Sequence, residues 1–138
     1  MSANLINEAW TDLYYLLHYK HEESLTHQNI RCMQAIKKNN DVTIQHLSEV
    51  LDVTHHTASE HIKRLIQKGY VQKERSLQDK RVVYVTLTEL GEEVLKRNTE
   101  LDEEKLQKLL ESFSADEQER IIDTFALLSK EAKHVFSN

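Results

Sequence analysis

The chain has 138 residues, with two glycines, no proline and a net charge of −5. Sheet-rich folds and phosphate-binding loops need Gly and Pro at their turns, so this composition argues against a β-sandwich, a dinucleotide-binding fold and a P-loop. We therefore expect a mostly helical protein of a single domain.

The sequence also indicates a cellular compartment. No apolar run approaches the ~20 residues of a membrane span, and the first residues lack the basic start and apolar stretch of a secretory signal. Cys32 is the only cysteine, so an internal disulfide cannot form. A cytoplasmic protein with no membrane partner is expected.

Charge is unevenly distributed along the chain. Residues 1–62 carry 4 basic and 8 acidic side chains, and residues 88–138 carry 7 basic and 13 acidic ones. Residues 63–81, in contrast, carry 7 basic and only 2 acidic side chains. Such a block indicates either a surface for a polyanion or a solvated charged face, and charge alone does not decide between them.

Helical periodicity dominates the first half of the chain. Apolar residues three and four apart predict a helix over residues 5–17, whose broad stripe needs a partner surface. Thr26, Thr43 and Thr54 are each placed to cap a following helix, and Gly69 is placed to end the last of these. The residues expected to face inward after Thr43 and Thr54 are Ile44, Leu47, Val50 and Leu51, then Ala58, Ile62, Leu65 and Ile66.

The pattern then changes period. Residues 71–75 and 82–87 suit strands, the second strongly so because it is β-branched and aromatic. The segment between them, residues 76–81, is mostly polar and charged. The three segments together predict a β-hairpin.

Helical spacing returns after the hairpin. One long helix is predicted from Thr88 to Phe113, and it is expected to cross solvent at residues 96–100, which include no apolar residue. Ser114 and Glu117 form a capping box that starts a last helix. The inward stripe predicted for that helix is Ile121, Ile122, Phe125, Leu128, Ala132, Val135 and Phe136.

Two short helices, a three-residue turn and a basic hairpin are the layout of a winged helix-turn-helix. Ser48 and Ala58 are small where the two helices must cross closely, and Val53 is placed to fill the turn. At ~100° per residue, the side of the second helix opposite its buried stripe is polar and suits a major groove. That side holds His56, Glu60, Lys63 and Gln67, flanked by Thr57, Ser59 and Arg64.

At these residues the chain resembles the MarR family of bacterial transcriptional regulators. The resemblance rests on residues 47–54, on residues 62–71, and on the wing sequence Asp79-Lys80-Arg81 that leads into residues 85–91. It extends to the order of elements along the whole chain.

The resemblance implies a mainly α fold with a small β-hairpin wing, in a single domain of residues 1–138. Residues 26–99 would form the winged helix-turn-helix lobe and its connecting helix, and residues 1–25 and 100–138 the dimerisation helices. It also implies a homodimer that binds a pseudo-palindromic operator in double-stranded DNA, usually to repress, and that a small molecule releases.

The same resemblance assigns the DNA contacts. Arg81 would enter the minor groove, and Asp79 would hold it in place. Glu60 is a departure, because a carboxylate repels phosphate and must instead contact a base edge or pair with a basic neighbour, Lys63 or Arg64. The predicted DNA-binding residues are Thr54, His55, His56, Thr57, Ser59, Glu60, Lys63, Arg64, Arg75, Asp79, Lys80 and Arg81.

An effector pocket is implied between the dimerisation helices and the winged lobe. The aromatic residues of the first helix suit either such a pocket, for a small aromatic effector, or the core of a dimer. The residues assigned to the pocket are Tyr14, His18, His21 and Cys32.

Eight histidines and one cysteine raise the alternatives of a zinc-responsive or an oxidant-responsive regulator. A zinc site needs three or four converging ligands, and residues 88–113 contain no histidine to join His18 and His21. Scattered surface histidines, with no metal and no cofactor, are therefore expected. Cys32 lies outside the first helix, where family members with redox cysteines carry them, so a buried inert thiol is favoured.

Two alternatives belong to other functional classes. The sequence has no nucleophile elbow, HExxH motif or glycine-rich loop, so no enzyme is expected. A protein-interaction module could keep the winged fold without binding DNA. Lys63, Arg64, Lys80 and Arg81 argue against that module.

Overall fold

The computed structural model describes residues 2–20, 23 and 25–137. In this part of the chain the elements are α1 (Ser2–Leu17), α2 (His27–Lys38), α3 (Ile44–Leu51), α4 (His55–Gln67), β1 (Val71–Arg75), β2 (Val83–Leu87), α5 (Glu89–Thr99), α6 (Glu103–Leu110) and α7 (Ala115–Phe136). The predicted class, mainly helical with a β-hairpin, is confirmed. The chain divides into two compact units, Met1–Glu100 and Leu101–Asn138.

The predicted helix starts are confirmed. Thr26, Thr43, Thr54 and Ser114 each accept, through the side-chain oxygen, a hydrogen bond from the backbone N–H three residues later. The first N–H groups of a helix lack partners inside it, so each cap satisfies one of them. At Ser114 the Glu117 carboxylate accepts the Ser114 N–H at 3.0 Å, which completes the predicted capping box.

The core of the first unit is formed by α2, α3, α4, α5 and the hairpin. Two residues predicted to face inward do not: Val50 is 47% exposed and Ile66 is 37% exposed. Each lies roughly 80° around its helix from the middle of the buried stripe, and neighbouring leucines already fill the inward side. The side chains with no exposed surface are Cys32, Met33, Leu47, Ala58, Ile62 and Leu65.

The hairpin is attached to the helices at both ends. β1 and β2 pair antiparallel, with Val71 opposite Leu87. The N–H of Val85 donates to the Val42 carbonyl at 2.8 Å, just before α3. At the other end, the Thr88 hydroxyl donates to the Gly69 carbonyl at 2.6 Å, where α4 has ended. These bonds set the position of the hairpin relative to α3 and α4.

The prediction of a single long helix from Thr88 to Phe113 is wrong, because two helices occupy this range. α5 ends at Thr99, and α6 begins after Asp102, whose carboxylate accepts the backbone N–H of Glu104 at 3.0 Å. Aspartate stabilises a helix start by such a bond and competes with a continuous helix at the same position. In the sequence, Asp102 followed by two acidic residues is a pattern typical of a helix start and indicates this break.

The polar stretch 96–100 was predicted to cross solvent, and this prediction is wrong for residues 96–99, which are partly buried. Arg97 forms an ion pair with Glu23, and the Asn98 carbonyl accepts a hydrogen bond from the Tyr14 hydroxyl at 3.2 Å. The polar groups therefore find partners within the first unit, which lets them lie away from water.

The two terminal helices carry the apolar stripes that the sequence predicted, but the α7 stripe, which was predicted to face inward, is mostly exposed in the single chain. On α1, Leu5, Ile6 and Trp10 are exposed. On α7, most of the apolar stripe is exposed, including Phe125 and Leu128, and no residue of that helix is buried. Among the described residues, no helix combines the length and the apolar character needed to span a membrane.

Candidate nucleic-acid interface

The turn between α3 and α4 has the geometry that a helix-turn-helix needs. Asp52 adopts a left-handed conformation (φ 54°) that ends α3, and the N–H of Val53 donates to the Ser48 carbonyl at 3.0 Å. Ser48 and Ala58 are buried, and Val53 packs against the core. The small residues and the turn residue therefore lie where the sequence predicted.

The face of α4 opposite the core is open to solvent. His55, His56, Lys63 and Arg64 are exposed, and Thr57, Ser59 and Glu60 are half-buried. At the helix start the Thr54 hydroxyl donates to the hydroxyl oxygen of Thr57 at 2.9 Å, which orients both side chains. The structure thus brings the α4 members of the predicted DNA-binding set onto one helix, with hydrogen-bonding groups directed away from the core.

Glu60 has two explanations in the sequence, contact with a base edge or pairing with a basic neighbour. Within the described residues, its carboxylate forms no ion pair with Lys63 or with Arg64. An unpaired, half-buried carboxylate on a polar face remains available to accept a hydrogen bond. Lys63 and Arg64 likewise form no ion pair in the described part of the chain.

The sequence suggested that the histidines lie at the surface, but not all of them do. His46 and His61 are partly buried, and the His46 Nε2 and His61 Nδ1 atoms are buried with no hydrogen-bond partner in the described part of the chain. Both lie on the helix-turn-helix, His46 in α3 and His61 in α4. In residues 2–20, 23 and 25–137, no three His, Cys, Asp or Glu side chains are grouped to hold a metal ion.

The wing, defined as residues 76–82 with the flanking strands, holds Arg81 outward. The Arg81 side chain is 91% exposed, and its Nε and Nη2 atoms donate to the two carboxylate oxygens of Asp79 at 3.1 and 3.2 Å. The side-chain and backbone hydrogen bonds from Arg81 lower the pKa of Asp79. Asp79 is therefore ionised at neutral pH, and its carboxylate accepts both hydrogen bonds from the guanidinium. The role that the resemblance assigns to this pair on DNA stays a prediction.

The rest of the wing loop is braced by its own hydrogen bonds. The Ser76 hydroxyl oxygen accepts the N–H groups of Gln78 and Asp79 at 3.2 and 3.3 Å. The Arg75 guanidinium donates to the Lys80 carbonyl, so Arg75 also supports the loop. Leu77, which sequence reasoning did not single out, is fully exposed at the tip.

The residues assigned to an effector pocket do not all share one environment. Tyr14 and His18 are partly buried and stacked, with ring centroids 5.3 Å apart. Cys32 has no exposed surface and lies in the core, where burial raises the pKa of its thiol to about 11. It is therefore not available to a ligand in this conformation. His21 lies outside the described residues.

The chain is similar to known transcriptional regulators. The family model described as "Transcriptional regulator SarA/Rot" matches residues 15–98. The HTH-type transcriptional regulator SarZ of Staphylococcus haemolyticus is 26% identical over 121 residues, which cover 88% of this chain and 76% of SarZ.

Solved structures share the fold over nearly the whole chain. S. aureus MepR bound to ethidium bromide has a TM-score of 0.63 and 17% identity, with 93% of this chain and 91% of MepR covered. Streptococcus pneumoniae FabT in complex with DNA has a TM-score of 0.55 and 23% identity, with 97% of this chain and 93% of FabT covered.

Proposed function

Because this chain belongs to the SarA/Rot family of transcriptional regulators, we propose that it binds a specific operator in double-stranded DNA through α4 and the wing. The predicted resemblance to MarR regulators is confirmed, since the structural neighbours are regulators of that family. The matched family and relatives are transcriptional regulators rather than enzymes.

One observation carries the proposal: on the wing, the exposed Arg81 guanidinium is paired with Asp79, and the outer face of α4 is polar. An exposed arginine normally samples many rotamers, and fixing it reduces the entropy lost when it enters a groove. An arginine suits the negative potential of a narrow minor groove, and a polar helix face suits the base edges of a major groove. The related fold of FabT has been solved in complex with DNA, which supports the same use here.

Specificity would come from the uncharged and acidic side chains of α4. Lys63 and Arg64 are suited to phosphates, which carry no sequence information directly. Glu60 repels phosphate, and its carboxylate forms no ion pair with any residue that the structure describes. We assign it to a base edge with an exposed amino group, such as cytosine N4.

We further propose that the protein acts as a homodimer. The exposed stripes of α1 and α7 are apolar and lie outside residues 26–99, to which we assign the winged lobe and connecting helix. Covering both stripes by a second copy would make an apolar interface of the kind found in obligate dimers. Two winged lobes related by a two-fold axis would then match a pseudo-palindromic operator.

Regulation by a small molecule completes the proposal. We infer a repressor that a small aromatic compound releases, with the stacked Tyr14 and His18 as the part of this chain best suited to hold a planar ring. MepR, a fold neighbour, has been solved bound to ethidium bromide.

The test is selection of bound sequences from a random duplex pool, followed by titration of the selected duplex and a scrambled one at two salt concentrations. We expect a pseudo-palindromic sequence with half-site centres about one helical turn apart, and a selected-to-scrambled affinity ratio of at least about 10³. As salt rises, the scrambled duplex should lose a larger share of its affinity than the selected duplex does, because its binding depends on phosphate contacts. Equal affinity for both duplexes, or none, would instead favour the protein-interaction module.

A further inference from the structure

Leu77 has the most exposed large apolar side chain of the described residues, at 100% of its surface. Single exposed apolar residues are common and need no explanation on their own. This one, however, lies at the tip of the wing loop, with Arg75, Lys80 and Arg81 close in sequence. It is an apolar side chain in a basic segment of an acidic protein.

Hydrogen bonds on both sides of Leu77 order the backbone of the loop that carries it. Directly before it, the Ser76 N–H donates to the Val82 carbonyl at 2.9 Å, and the Ser76 hydroxyl oxygen accepts two backbone N–H groups from the residues after Leu77. The Val82 N–H donates to the Asp79 carbonyl at 2.9 Å. A loop ordered by its own bonds loses little entropy on binding, so Leu77 is presented in advance.

We propose that Leu77 is a DNA-contacting residue that packs against the deoxyribose walls of the minor groove beside Arg81. This inference rests on the proposed function, because it assumes that the wing meets DNA. Charge complementarity places the basic loop on the phosphates that border the groove, and apolar side chains, leucine among them, recur as wedges in minor grooves.

The contact would add shape selectivity that Arg81 alone does not supply. Burying a fully exposed leucine is favourable on any apolar surface, but the fit depends on how wide the groove is and how readily the step deforms. The wing would therefore favour a subset of duplexes without any hydrogen bond to a base. A charge-only wing would bind all duplexes alike.

The experiment compares Leu77→Asn, which has a similar size and is polar, with Leu77→Met, which restores an apolar side chain. Leu127→Asn is the matched control, because Leu127 is an exposed leucine on α7, away from the stripe that includes Phe125 and Leu128. Each protein is titrated with the duplex that the wild type selects from a random pool, and with a scrambled duplex. Thermal melting and sedimentation are measured for all four proteins.

We expect Leu77→Asn to weaken binding to the selected duplex about five- to tenfold, with an unchanged salt slope because no charge is removed. Leu77→Met should stay within about twofold of the wild type, since Met fills apolar gaps readily. Leu127→Asn should match the wild type. Hydroxyl-radical cleavage should show that Leu77→Asn loses protection of the sugars under the wing while the rest of the footprint remains.

The outcomes separate this inference from the proposed function. If the wild type selects a sequence and Leu77→Asn binds it equally well, Leu77 does not contact DNA and the operator proposal stands. A loss of equal size on both duplexes would overturn shape selectivity, and a change in sedimentation would show that Leu77 serves a contact between chains. If the wild type shows no preference for any duplex, both proposals fail together.

Discussion

Gly91 approaches the carbonyl oxygen of Tyr70 so closely that a β-carbon at position 91 would lie 1.9 Å from that oxygen. The same carbonyl accepts the Thr88 N–H at 3.0 Å. This approach joins the start of α5 to the turn that follows α4. It therefore fixes the start of α5 against Tyr70, which lies between α4 and β1.

Replacing Gly91 by alanine should destabilise the protein by about 2 kcal/mol or more, because the methyl group would overlap backbone atoms that cannot move aside freely. The gain of ~1 kcal/mol in helix propensity offsets only part of that cost. Urea unfolding, followed by circular dichroism, measures the difference. An unchanged midpoint would show that α5 can shift away from Tyr70 at little cost.

Gly69 provides the contrast for that experiment. It has a left-handed φ of 80°, and a β-carbon there would meet nothing closer than a Leu90 methyl at 4.0 Å. Gly69→Asn should cost less than about 1 kcal/mol, because asparagine tolerates this conformation. Gly91→Asn should be at least as damaging as Gly91→Ala.

Arg81→Ala should weaken operator binding by more than about 1 kcal/mol, the scale of a good groove contact. The melting temperature should hardly change, since the side chain is 91% exposed and its hydrogen bonds to described residues are with Asp79 in the same loop. The salt slope should fall by about one unit if the guanidinium neutralises a phosphate. Equal affinities for the variant and the wild type would remove Arg81 from the interface.

Asp79→Asn should reproduce part of that loss, because the guanidinium would lose its ionic partner and its fixed orientation. The pKa of Asp79 is lowered in the folded protein, so the tether is complete above the ordinary carboxyl pKa and is lost only as the pH falls through the lowered value. Binding measured between pH 6 and 8 should therefore show no titration of this pair. A variant that binds more tightly than the wild type would mean that Asp79 acts mainly by repelling phosphate.

Glu60→Gln separates base recognition from charge. If Glu60 accepts a hydrogen bond from a base, the substitution should lower affinity for the selected operator and change the preference at one position in each half-site. If the carboxylate only repels phosphate, the variant should bind every duplex more tightly. Lys63→Ala is the companion variant and should weaken all sequences about equally. The measurement is a repeated selection with each variant.

Phe125→Asp should convert a stable dimer into a monomer, because it places a charge in the exposed stripe of α7, where a dimer interface would desolvate it. Sedimentation at micromolar concentration reports the change. Leu127→Asp, off that stripe, is the matched control and should remain dimeric. A wild-type protein that sediments as a stable monomer would contradict the dimer proposal directly.

Cys32 should resist thiol reagents in the folded protein. Burial raises its pKa to about 11, so the reactive thiolate is scarce at pH 8 and appears only as the pH approaches that value. We expect a disulfide reagent to label Cys32 only after unfolding in urea, with a rate that follows unfolding. Rapid labelling of the native protein would revive the oxidant-responsive alternative.

The sequence by itself determined the features that depend on a few neighbouring residues. Thr26, Thr54 and Ser114 cap helices because a side-chain oxygen needs only an N–H three positions away. Gly69 ends α4 because glycine readily adopts the left-handed φ that stops a helix, whatever its distant neighbours are. The polar face of α4 and the sequence of the wing follow from helical period and local composition in the same way.

Tertiary structure alone decided what depends on residues far apart in the chain. Arg97 is partly buried because Glu23, 74 positions earlier, pairs with it. Val50 is exposed because the space beneath α3 is already filled. The need for glycine at position 91 appears only when α5 packs on Tyr70, and Leu77 becomes notable only once the braced loop leaves it uncovered. Packing brings these partners together across distances that sequence periodicity does not encode.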